Sequence, residues 1–275
     1  LTLNLNKGRY ETVIIESRRL IKLNPNVAGL YEILGLAYLQ SGETKKAVKF
    51  FQRALKIMPS LGSARFNLAK VYFETGKITQ AISILRNLTS TDYQTELVRH
   101  LLGIALFQNG NFIAAANEFN ELLELSPRNH EALFYLGQIA RAQGDNSNAL
   151  DCFLAVLEID AEHFESIFNI GNIYRDKRCF AKALAWFERA LKIKPDHLQS
   201  LMNRGTVHVL LGHQEKGTKD FEDCLKINPY FMDAYKNLSS AYLHLRDFVA
   251  AEKILDSAIQ QNPNFVDAVF AKFGL

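Results

Sequence analysis

The stretch RALKIKPDHLQSLMNRG runs from Arg189 to Gly205, and DCLKINPYFMDAYKNLS runs from Asp223 to Ser239. The second begins 34 residues after the first and places its proline and most of its apolar letters in the same order. An internal period of this length has to be read before any local pattern. It extends along the chain. Pro25, Pro59, Pro127, Pro195, Pro229 and Pro263 are separated by 34, 68, 68, 34 and 34 residues, with Tyr93 and Ala161 at the two proline-free places. Gly8, Gly42, Gly76, Gly110, Gly144 and Gly212 share a second phase, in which Arg178 and Arg246 replace glycine.

The period divides the chain into seven full units, 28–61, 62–95, 96–129, 130–163, 164–197, 198–231 and 232–265, with partial units at 1–27 and 266–275. Within a unit, apolar residues recur at helical spacing in two blocks. Leu133, Leu136, Gly137 and Ala140 form one stripe, and Ala149, Phe153, Val156 and Leu157 another, with the breaker pair Gly144–Asp145 between them. Each unit therefore reads as two helices of about four turns joined by a tight turn. The proline stops the second helix because it lacks the N–H needed to continue the ladder. The class is all-α.

Small residues set the packing. The eighth place of the units holds Gly35, Ala69, Gly103, Gly137, Gly171, Gly205 and Ser239, and the twentieth holds Ala47, Ala81, Ala115, Ala149, Ala183, Gly217 and Ala251. Glycine inside a helix costs roughly 1 kcal/mol against alanine, so its repetition implies close approach of two helices, expected between these two places. Large residues stand nearby: Tyr38, Tyr72, Tyr174 and Tyr242 on first helices, and Phe51, Phe119, Phe153, Phe187 and Phe221 on second helices.

These units resemble tetratricopeptide repeats. In Ala28–Leu61 the places that carry the likeness are Tyr31, Leu34–Gly35, Tyr38, Ala47, Phe51, Ala54 and Pro59. The resemblance covers essentially the whole chain. It implies a right-handed α-solenoid, a superhelix of antiparallel helix pairs approaching one full turn, with first helices lining a concave groove. Stacking is the physical reason for the repetition, since one helix pair cannot bury its apolar face alone. Two departures stand out. Arg204, His208 and Gly217 occupy core-type places in unit 198–231, which is expected to be the loosest. Unit 62–95 lacks its proline and ends NLTSTDYQT, so its second helix is expected to end early.

Composition narrows the function. With 48% hydrophobic and 22% charged residues the chain can bury a core, and its net charge of +3 provides no strong attraction for nucleic acid or anionic membrane. No apolar run approaches the length of a membrane span, so no membrane insertion is expected. Cys152, Cys179 and Cys224 have neither disulfide nor zinc spacing, which favours a reducing, cytoplasmic setting. No cofactor and no catalytic constellation is indicated. His130, His163 and His197 recur at unit boundaries too far apart to share a metal, and read as solvated.

The informative residues lie on the first helices. The sixth place holds Asn67, Asn169, Asn203 and Asn237, although Asn is a poor helix former. Two readings stand: bonds to a neighbouring helix, or a ladder of amides that grips an extended peptide backbone. The ladder resembles that in the repeat domains of O-linked N-acetylglucosamine transferases. Phe134, Phe168, Arg141, Asn172 and Arg175 lie nearby; the aromatics either hold ligand side chains or belong to the core, and the arginines suit carboxylates. Glu131, Glu165, Asp233 and Asp267 stand at the second place, where clamping of a C-terminal carboxylate would need a base. The expected function is a protein-interaction scaffold for a protein or peptide ligand. The alternative is a substrate-docking or oligomerisation arm of a larger transferase, a glycosyltransferase or sulfotransferase; an isolated enzyme is the remaining class. The ending, with Val266, Val269, Phe270, Phe273 and Leu275, is expected to be covered by a further helix or to drive self-association.

Overall fold

The computed structural model describes residues 1–91 and 93–263, and these contain sixteen helices and no strand. In order they are α1 (Thr2–Asn6), α2 (Tyr10–Leu23), α3 (Ala28–Gln40), α4 (Thr44–Ile57), α5 (Gly62–Glu74), α6 (Ile78–Thr89), α7 (Thr95–Gln108) and α8 (Phe112–Leu125). There follow α9 (His130–Ala142), α10 (Asn146–Ile159), α11 (Phe164–Asp176), α12 (Phe180–Ile193), α13 (Leu198–Leu210), α14 (Gln214–Ile227), α15 (Met232–His244) and α16 (Phe248–Gln261). The fold is an all-α solenoid of helix pairs, in two compact units, Leu1–Ile139 and one that starts at Ala140. The expected partial repeat 266–275, with Phe270 and Phe273, lies outside the described residues.

Each turn within a pair is made the same way. The glycine phase adopts a left-handed backbone, with φ of 81° at Gly42 and at Gly144, and Arg178 and Arg246 hold the same conformation at φ 57° and 58°. It allows two N–H groups to turn back onto the ending helix: Gly42 N donates to Leu39 O at 3.0 Å and Glu43 N to Tyr38 O at 2.8 Å. Arg178 N and Cys179 N do the same to Arg175 O and Tyr174 O, at 2.9 and 2.8 Å. As expected, α6 ends early, at Thr89, with 12 residues against 14 in α4 and α8.

Second helices bury one stripe, such as Ala47, Phe51 and Ala54 on α4. First helices are buried more broadly, α3 through Ala28, Tyr31, Leu34, Gly35, Ala37 and Tyr38, because α3 packs against both α2 and α4. Tyrosines tie one repeat to the one before. Tyr38 Oη accepts from Arg18 at 2.6 Å, Tyr72 Oη accepts from Gln52 at 3.1 Å, and Tyr242 Oη donates to Glu222 at 2.6 Å.

The expected approach of eighth and twentieth places holds at Gly205 and Gly217, where a Cβ on Gly217 would lie 2.9 Å from the Gly205 carbonyl oxygen, but the glycines of the eighth place meet a different partner. A Cβ at Gly171 would meet the Phe187 ring, 2.7 Å from Cε1, rather than Ala183, and Gly35, Gly103 and Gly205 face Phe51, Phe119 and Phe221 in the same way. The two exceptions prove complementary: where the eighth place carries a Cβ, at Ala69 and Ser239, the twenty-fourth is Leu85 and Leu255 instead of phenylalanine. The ring fills the space that the missing methyl leaves. Phe187 and Phe119 are fully buried, and burying each such ring contributes about 1.5–3 kcal/mol.

Unit 198–231 departs from its expected looseness in one respect. Arg204 is paired, its Nε donating to Asp220 Oδ2 at 2.9 Å and its Nη2 to Oδ1 at 2.5 Å, and Asp220 is 3% exposed. That bond holds the Arg204 guanidinium above its usual value. Desolvation offsets much of the Coulomb gain of such a pair, so it specifies how α13 meets α14 more than it stabilises the contact. His208 is less well accommodated: Nδ1 is buried with no hydrogen-bond partner among the described residues, and burial pushes the imidazole below its usual range.

Candidate functional site

The predicted amides of the first helices occur in two states. Asn169 on α11 and Asn203 on α13 are held from the preceding repeat. Arg141 Nη1, on α9, donates to Asn169 Oδ1, and Asn169 Nδ2 donates to the Glu165 carbonyl at 2.7 Å. Arg175 Nη1 donates to Asn203 Oδ1 at 2.7 Å, and Asn203 Nδ2 donates to Asn172 Oδ1 at 2.7 Å. Asn169 and Asn172 are buried, at 7% and 5% exposed, whereas Asn203 is half-buried. Each held amide keeps one N–H and one lone pair beyond these bonds.

Asn67 on α5 and Asn237 on α15 are half-buried, and neither makes a side-chain hydrogen bond among the described residues. The difference lies 28 residues upstream: Arg141 and Arg175 precede the held amides by 28, while Leu39 and Val209 precede the others. This spacing was visible in the sequence, but only the structure gives it meaning.

Asp176, which the sequence reading did not single out, lies between the two arginines. Its Oδ1 accepts from Arg175 Nε at 3.1 Å and Nη2 at 2.9 Å, and its Oδ2 is 3.8 Å from Arg141 Nη2. Burial pulls the Arg141 guanidinium below its usual value; Asp176 opposes that shift and Arg175 adds to it. The Phe168 ring packs against Phe164, Phe187 and His197 at centroid distances of 6.3, 6.2 and 5.1 Å, so one side of it belongs to the core. Phe134 is half-buried and meets Tyr135 edge-on at 5.8 Å.

Between α13 and α15 lies an open depression of about 410 Å³, lined by Gln199, Met202, Asn203, Thr206, Phe231, Asp233, Lys236 and Asn237. It combines amides, a hydroxyl, charges of both signs and two apolar contacts. Two of the acidic second places are otherwise engaged: Glu165 pairs with Lys194 at 3.1 Å, and Glu131 Oε2 lies 2.9 Å from His100 Nε2, whereas Asp233 lines the depression.

The unit-boundary histidines are not simply solvated. His163 and His197 are half-buried N-caps of α11 and α13, whose Nδ1 atoms accept from Ser166 N and Ser200 N at 3.2 Å each. Cys224 is buried, and burial pushes its thiol up to about 12, which leaves it unreactive. Among the described residues no cluster of three or more His, Cys, Asp or Glu could hold a metal, and no helix is long and apolar enough to cross a membrane.

Models of the tetratricopeptide repeat match residues 38–103, 100–164, 140–197 and 170–237. Among solved structures, YrrB, described as a TPR protein with an unusual peptide-binding site, is 25% identical, with a TM-score of 0.60 over 67% of this chain and 95% of that one. A chain of the APC/C hetero-tetramer Cut9–Hcn1 is 20% identical with a TM-score of 0.61; the match covers 86% of this chain but only 47% of that one. The C-terminal part of a TPR repeat-containing protein from Cytophaga hutchinsonii is 14% identical, with a TM-score of 0.61 over 98% of this chain and 96% of that one. The last two likenesses show the fold alone. No curated protein sequence matches the chain significantly.

Proposed function

The chain belongs to the tetratricopeptide repeat family, and on that premise we propose that it is a protein-interaction scaffold whose first helices bind an extended peptide. The observation that carries this reading is the depression around Asn203, Thr206, Lys236 and Asn237, where first-helix polar groups stand clear of the core. A side-chain amide offers a donor and an acceptor, the pair that one peptide unit presents in return. An extended strand rises about 3.3 Å per residue, and packed helices lie about 10 Å apart, so roughly three ligand residues would pass each repeat. The peptide-binding site of YrrB lends this reading support from a similar protein.

The test uses the difference between held and free amides. Peptides selected on an array by the wild-type chain are titrated by fluorescence polarisation against two variants. Asn237→Ala is expected to weaken binding several-fold, about the worth of one net hydrogen bond, with unchanged melting. Asn169→Ala is expected to lower thermal stability as well, because it leaves the Arg141 guanidinium without its partner. If Asn237→Ala binds every selected peptide as the wild type does, the amides are not the ligand contacts and the reading fails.

A further inference from the structure

The Arg141–Arg175 pair carries more positive charge than its surroundings neutralise. The two guanidinium groups share one carboxylate, Asp176, and among the described residues no other carboxylate forms an ion pair with Arg141. Two cations and one anion leave a net charge of +1 at a place where both arginine side chains are only 29% exposed. The two arginines are also bonded differently. Arg175 places Nε and Nη2 on Asp176 and Nη1 on Asn203. Arg141 places Nη1 on Asn169, and its Nη2 is 3.8 Å from Asp176, beyond hydrogen-bond reach. Its Nε–Nη2 edge therefore has no hydrogen bond among the described residues. That edge is the planar fork that takes a carboxylate through two parallel bonds. The Asn169 bond, made from the following repeat, already fixes the guanidinium, so little rotamer freedom remains to be lost on binding.

We propose that the partner segment is acidic, and that an Asp or Glu carboxylate of that segment docks on the free edge of Arg141 beside Arg175. The proposal rests on the groove reading above and adds the chemistry of the ligand. Docking would give an alternating array of two guanidinium groups and two carboxylates. The site's neutral neighbours, Asn169, Asn172 and Asn203, fit this role, since they orient the arginines without cancelling their charge.

The experiment uses the full chain and a positional-scanning decapeptide library in which each position is fixed in turn as Glu, Gln or Lys. Binding is read by fluorescence polarisation at low and at high salt. At one or more positions the Glu pools are expected to bind about ten-fold more tightly than the Gln pools at low salt, the scale of one charge-assisted bond, and less so at high salt. Arg141→Gln is expected to bring that ratio near one, whatever it does to overall affinity, and Arg141→Lys to retain part of it. Asp176→Asn is expected to raise the ratio, because it removes the internal competitor; a purely structural role for the arginines would not produce this. If Arg141→Gln does not fold, Arg141→Lys and Asp176→Asn still decide the matter. Glu and Gln pools that bind alike at every position would overturn the acidic partner and leave the groove reading intact. A ratio that falls in Asp176→Asn would also overturn it. Wild type that retains no pool at all would overturn both.

Discussion

The Gly171–Phe187 contact can be tested by a substitution whose local and tertiary effects have opposite sign. Gly171→Ala should stabilise α11 by about 1 kcal/mol through helix propensity alone. In the folded chain, however, the new Cβ would sit 2.7 Å from Phe187 Cε1, 2.9 Å from Cδ1 and 3.3 Å from Cζ. Phe187 is fully buried, so its ring has no solvent to swing into. Overpacking of this kind costs about 1–3 kcal/mol, and contacts to three ring atoms favour the upper half of that range. The net expectation is a loss of about 1–2 kcal/mol. Phe187→Leu alone should cost about 1 kcal/mol or somewhat more, less than truncation to alanine, through the space it opens. The double variant recreates the pairing already present at Ala69–Leu85, so its loss should fall short of the sum by about 1–2 kcal/mol. Urea unfolding followed by circular dichroism measures all three, with the slope checked for a change in cooperativity along the array. A Gly171→Ala chain more stable than wild type, or strictly additive losses, would refute the complementarity.

Two further outcomes are expected. Arg178→Gly should stabilise the chain by about 0.5–1 kcal/mol, since a left-handed backbone at φ 57° strains a side-chain-bearing residue more than glycine's extra unfolded-state freedom costs; thermal melting against wild type measures it. The His197 cap should make stability pH-dependent. Its Nδ1 must be neutral to accept from Ser200 N, and burial, then Lys194, hold its imidazole below the usual 6.5. The unfolded chain therefore binds this proton more readily, so the contribution is complete above 6.5 and is lost as pH falls through the folded value. His197→Asn keeps a capping acceptor without the titration, and its urea midpoint should vary less over that window.

The period of 34 residues determined the fold from the sequence alone. Helix pairing, the glycine turns and the early end of α6 follow from backbone rules that act over a few residues. Arg178 and Arg246 stood out in the sequence only as replacements in the glycine phase; that they take the same left-handed backbone was shown by the structure. Side-chain partners were a different matter. Glycine at the eighth place announced a close approach, but a one-dimensional pattern does not say which atom fills the gap, and Phe187 rather than Ala183 proved to be the neighbour. The Asn phase was equally plain. Whether an amide is held or free depends on a guanidinium reaching across from the previous repeat, and so on the distance between two helices. Arg141 and Arg175 reach; Leu39 and Val209 have nothing to donate. Arg204 read as a flaw in the core until Asp220, on the facing helix, came within bonding distance. Periodicity determines which residues face inward, since it acts along one helix; what each inward residue meets is decided only when two helices pack.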